Sequence, residues 1–170
     1  MRDLSRATGK SLAGMYYYAR GKEDLLLQIQ KRCLEHVTAG AAEAVASRTG
    51  AEERLRAFIR HHVVFFAEHD AEMKVLSREA DSLTGPALEE VRRLQRGYAD
   101  LLLSLLADLD SALGSPGPAP DRAVAAYALF GMVNWVYTWY DPAGRLSADE
   151  LADLLARLFL HGFPGAGLSG

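Results

Sequence analysis

Apolar residues return at three- and four-residue steps through nearly all of this 170-residue chain, and that spacing restricts it to helices. Leu25, Leu26, Ile29, Cys33, Val37 and Ala41 form one series. Leu55, Phe58, Ile59, His62, Val63 and Phe66 form a second, and Leu151, Leu154, Leu155, Leu158 and Phe159 a third. The six prolines are sparse and clustered, the first at Pro86, so long helices run uninterrupted. The predicted fold class is all-α.

Punctuation sets the helix limits. One helix is expected from Lys22 to about Ser47, ended by Thr49-Gly50, then one over 51–69 and another over 70–83. Thr84-Gly85-Pro86 breaks the chain before a helix over 87–113, and residues 114–120, GSPGPAP, are a loop. Asp121 caps a helix over 122–140 that is apolar nearly all round, with Val124, Tyr127, Phe130, Trp135 and Trp139 among its members. Ser147 with Glu150 is a capping box for the last helix, which Gly162 and Pro164 stop. An all-round apolar helix beside a striped one suits a two-fold four-helix interface, so a homodimer through 121–140 and 148–162 is expected. The alternative is that both helices bury their apolar surface inside one subunit.

Apolar residues make up 49% of the chain and charged ones 24%, enough for a globular core. The single Cys33 excludes an internal disulfide and suits a reducing, cytoplasmic setting. No basic segment followed by an apolar run opens the chain, so no secretory signal is expected. The longest apolar stretch, 123–139, is interrupted by Asn134 and Thr138 and is short for a bilayer span, so no membrane partner is expected. Charge is uneven. The chain carries a net −3, yet residues 1–22 hold Arg2, Arg6, Lys10, Arg20 and Lys22 against Asp3 alone. A positive end on an acidic body fits contact with a polyanion through that end.

That end reads as a helix-turn-helix. Leu4 and Ala7 share one side of a first short helix, Gly9 makes the turn, and Ser11 caps a second helix over 12–18. Such a unit lays its second helix in the major groove of DNA. The small Ala13 and Gly14 permit close approach, and tyrosine hydroxyls and a helix start at Lys22 suit phosphate.

Ser11, Met15, Tyr16, Tyr18, Ala19, Gly21, Lys22 and Leu25 follow the spacing of the TetR family of bacterial transcriptional regulators, which this segment resembles. Ala19 stands where that family usually has Phe, and the family has one more helix before this unit, so the DNA-binding domain is expected to be incomplete at its start. The resemblance implies a DNA-binding domain over 1–47, including a linking helix, and a ligand-binding and dimerisation domain over 48–170. It implies a double-stranded operator as partner, with groove contacts at Arg2, Leu12, Ala13, Gly14 and Tyr17 and phosphate contacts at Ser11, Tyr16, Tyr18 and Lys22. It also implies repression relieved by a small, largely apolar effector. The segment 131–147 further resembles regulators of lipid and steroid catabolism, some of which answer to acyl-CoA thioesters; Arg92, Arg93 or Arg96 would then meet the CoA phosphates. A helical dimeric module that has lost DNA binding is the alternative.

Candidate pocket residues are Phe58, His62, Phe65, Phe66, Met73, Tyr98, Leu102, Tyr127, Phe130, Asn134 and Trp135. Aromatic and Met residues at helical spacing are more often core than ligand lining. His62 and Asn134 say more, because a polar group on an apolar face needs a partner. No metal, cofactor or catalytic role is expected. His62 and His69 are seven apart rather than three or four, and neither a nucleophile elbow nor a phosphate-cradling loop is present.

Overall fold

The computed structural model describes residues 21–69, 72–73, 82–114 and 121–165, and these form six helices. α1 spans Lys22–Ala46, α2 Ala51–Glu68, α3 Gly85–Leu113, α4 Arg122–Asn134, α5 Val136–Trp139 and α6 Ala148–Gly165. No strand occurs among the described residues, in keeping with the all-α expectation. The helix-turn-helix expected over 2–18 lies outside the described residues, as does most of the helix expected over 70–83.

Local chemistry fixes the ends. The Asp121 carboxylate accepts from the Ala123 and Val124 amides at 2.9 and 3.2 Å, which satisfies two donors at the start of α4. Ser147 and Glu150 cap each other reciprocally before α6. α3 is capped from another helix: the amide and hydroxyl of Thr84 both donate to Glu23 Oε1 in the first turn of α1, at 2.9 and 3.0 Å. Gly114 ends α3 in the left-handed region at φ 56°.

Two boundaries differ from expectation. The helix expected over 122–140 is interrupted at Trp135, where α4 stops and the short α5 begins. α6 continues past Gly162 only through a kink, with Gly162 at φ 70°. A positive φ there is cheap for glycine and ends the regular turn where the sequence placed its stop.

α2 lies at the centre and packs against α1, α3, α4, α5 and α6. Leu55, Phe58, Ile59 and Val63 of α2, Leu102 and Leu105 of α3, and Leu129 and Val133 of α4 are fully buried in the main core. A smaller, separate core of Leu26, Leu83 and Val91 joins the start of α1 to the start of α3. The α4–α5 surface turns out to be two-sided. Ala126, Leu129, Val133 and Val136 face the core, while Val124, Tyr127, Trp135 and Trp139 are exposed on the other side. Leu155 and Phe159 of α6 are half-buried and pack against the core.

α1 approaches α2 closely at Gly40. A Cβ there would meet the His61 imidazole, 2.8 Å from its Nε2. Gly40→Ala should therefore destabilise the wild-type protein. The same change on a His61→Ala background should stabilise it by about 1 kcal/mol, the usual helix-interior gain of Ala over Gly. Urea unfolding of the four proteins of this cycle reads the sign reversal directly.

Candidate functional site

Phe58, His62 and Phe66 recur every four residues along α2 and form one stripe. Tyr98 of α3 and Phe130 of α4 close over it. The His62 ring stacks on Phe66 with centroids 4.0 Å apart, Phe58 stacks on Tyr98 at 5.0 Å, and Phe130 lies 6.2 Å from His62. Inside this aromatic box is one polar pair: His62 Nδ1 and the Tyr98 hydroxyl are 2.9 Å apart. His62 is 1% exposed and Tyr98 6%.

Burial governs the protonation of this pair. Loss of water pulls the His62 imidazole down from 6.5 to about 3, helped by neighbouring His61 and opposed by the Asn134 side chain. Asn134 is the polar side chain that tempers the shift, and Nε2 is buried with no partner in hydrogen-bond geometry among the described residues. Burial also raises the Tyr98 phenol above its usual range, and pushes the Cys33 thiol up to about 12, with Glu72 adding to the effect. At neutral pH the site thus holds a neutral imidazole, a neutral phenol and an unreactive thiol.

The pocket residues expected from the sequence divide into three sets. Phe58, His62, Phe66, Tyr98 and Phe130 come together, with Leu102 fully buried in the same core. Met73 is buried in that core too. Phe65 turns toward α1, where His36, His61 and His69 surround it; His69 stacks on its ring at 4.2 Å and its Nδ1 donates to the Phe65 carbonyl. Tyr127 and Trp135 are not brought to the cluster: they are 79% and 61% exposed on the outward side of α4. Asn134 is exposed at the end of α4, yet its amide acts on His62.

Sequence reasoning missed Tyr98 as the specific partner of His62, because the two are 36 residues apart and no local pattern joins them. It also missed buried Gln30. Of the residues expected to contact DNA, Arg2, Ser11, Leu12, Ala13, Gly14, Tyr16, Tyr17 and Tyr18 lie outside the described residues, and Lys22 is exposed in the first turn of α1. Arg93 grips Glu90 through two hydrogen bonds of 2.9 Å, with Lys31 also on Glu90 at 3.4 Å, which holds that carboxyl down at about 2. Arg92 and Arg96 are exposed on α3. A different face of α2 borders an open groove of about 510 Å³ lined by Arg48, Arg60, His61, Glu68 and Asp149. No described helix is long and apolar enough to cross a membrane.

Residues 48–163, which contain the whole aromatic cluster, match the family described as tetracyclin repressor-like, C-terminal domain. The chain belongs to the TetR family of transcriptional regulators. Proteins of this family join a helix-turn-helix DNA-binding domain to a helical ligand-binding domain. The chain is 27% identical to the HTH-type transcriptional regulator BetI of Agrobacterium fabrum, over 96% of this chain and 79% of that one. Among solved TetR structures it is similar to PfmR of Thermus thermophilus, with 26% identity, a TM-score of 0.79 and coverage of 95% and 87%. It is also similar to AibR, solved in complex with isovaleryl coenzyme A and operator DNA, with 28% identity, a TM-score of 0.74 and coverage of 91% and 83%.

The depressed His62 pKa carries a sign. Between about 3 and 6.5 the unfolded chain binds a proton that the folded TetR-type domain refuses, so stability is complete above pH 6.5 and falls as pH drops toward 3. Urea midpoints across that range should rise with pH. His62→Phe should flatten the rise relative to wild type.

Proposed function

We propose that this TetR-family chain is a dimeric DNA-binding repressor, released when a small and largely apolar effector enters the aromatic cluster around His62. The observation that carries the effector reading is the polar pair His62–Tyr98, fully buried inside an otherwise aromatic box. Cores built only for stability rarely include a neutral imidazole with a nitrogen left unpartnered. Ligand pockets do combine apolar walls with one or two placed polar groups. Release requires that the effector bind the DNA-free arrangement better than the DNA-bound one. AibR, a relative in fold and sequence, was solved with an acyl-CoA thioester, which supports an acyl chain in the cluster here. Arg92 and Arg96, exposed on α3, are the cations open to its phosphates.

Operator contact is proposed through Arg2, Leu12, Ala13, Gly14 and Tyr17 in the groove, and through Ser11, Tyr16, Tyr18 and Lys22 on phosphate. Binding of the purified chain to the DNA upstream of its own gene should weaken steeply as salt is raised. Tyr16→Ala and Lys22→Ala should weaken binding to every sequence alike, and a loss confined to one site would contradict phosphate contact. Isovaleryl coenzyme A should release the complex from wild type and fail on His62→Phe, which should still fold but melt somewhat below wild type because the Tyr98 hydroxyl loses its partner. A collapse in melting temperature would instead mark His62 as purely structural.

The outward side of α4 and α5 supports the dimer. Val124, Tyr127, Trp135 and Trp139 are more than half exposed along one side, an apolar surface that a second copy would cover. Tyr127→Glu with Trp135→Glu should give monomers by light scattering. An unchanged dimer mass would remove this face as the interface.

A further inference from the structure

The contact with Tyr98 bears on which nitrogen of His62 carries the proton. The phenol is buried and neutral, and its hydroxyl hydrogen must be placed on an acceptor. Among the described residues the hydrogen-bond partner that reaches it is His62 Nδ1, at 2.9 Å. With the hydroxyl as donor, Nδ1 accepts. A neutral imidazole with an unprotonated Nδ1 keeps its proton on Nε2. That Nε2–H is buried and meets no acceptor among the described residues, which is uncommon for a donor held this deep.

From this geometry we infer that His62 Nε2–H is a donor reserved for an uncharged carbonyl oxygen, so that the effector is a ketone, ester or thioester and neither a hydrocarbon nor a carboxylate. The inference rests on the effector reading above and names the group recognised. The rings packed around His62 are Phe58, Phe66, Tyr98 and Phe130, and among the described residues the groups that act on its charge are His61 and Asn134, neither of them a guanidinium or ammonium. A carboxylate there would be a buried charge without a counter-ion. A hydrocarbon would leave the N–H unmet. A carbonyl supplies one strong acceptor without charge, and the imidazole stays neutral throughout because burial holds its pKa at about 3.

The tautomer is tested first, on the full wild-type chain labelled with ¹⁵N-histidine. Long-range ¹H–¹⁵N spectra should show His62 protonated at Nε2 and bare at Nδ1, and a proton found on Nδ1 overturns the inference. The second test compares acetophenone with α-methylstyrene, its isostere with CH₂ in place of the oxygen, by calorimetry. The affinity ratio of ketone to alkene should fall about tenfold in His62→Phe, the size expected for one lost hydrogen bond, and should be kept in His62→Gln, whose amide still donates. A ratio unchanged in His62→Phe overturns the donor role while leaving an apolar effector standing. Benzoate should not bind; affinity matching acetophenone overturns the requirement for an uncharged group. If neither acetophenone nor α-methylstyrene binds, the effector reading falls together with the inference.

Discussion

Leu55, Phe58, Ile59, His62 and Val63 give α2 a buried surface too broad for any one neighbour to cover. Five helices are drawn onto it. α1 and α6 take its flanks and α3, α4 and α5 take the remaining side. Burial of that surface is the dominant favourable term, worth roughly 1.5–3 kcal/mol for each large apolar side chain removed from water. It leaves one problem unsolved by packing alone, since His62 brings two ring nitrogens into a place without water. Tyr98 answers for one of them. The other remains the single polar feature of the cluster that its own surroundings do not satisfy, and this is why the cluster draws attention as a site.

The same helix separates two environments. On the α3–α4 side, imidazole and phenol are locked neutral by desolvation. On the α1 side, Phe65 carries His36, His61 and His69 around it, and Gly40 keeps α1 close by having no side chain to collide with His61. α2 is thus in contact with both the aromatic cluster and α1.

Much of this was legible in the sequence where polar punctuation accompanies the apolar period. Asp121, the Ser147–Glu150 box and Thr84-Gly85-Pro86 each marked a helix end because each satisfies or removes backbone donors locally. His62 stood out for being polar within an apolar stripe. Legibility failed where the pattern had no polar side. The 122–140 segment is apolar nearly all round, so periodicity could not tell core-facing Leu129 and Val133 from outward Tyr127 and Trp135. Nor could it show the break at Trp135. Pairing across 36 residues, as between His62 and Tyr98, is a property of tertiary packing and leaves no trace in local spacing.

The cap that α1 lends to α3 ties two helix starts together at one residue pair. One carboxylate oxygen of Glu23 holds both the amide and the hydroxyl of Thr84, and the small core of Leu26, Leu83 and Val91 sits directly beside it. Hydrogen bonds of this length do not stretch far before they fail. Parting the two helix starts would thus strip two donors at the same moment and wet a three-residue core with them.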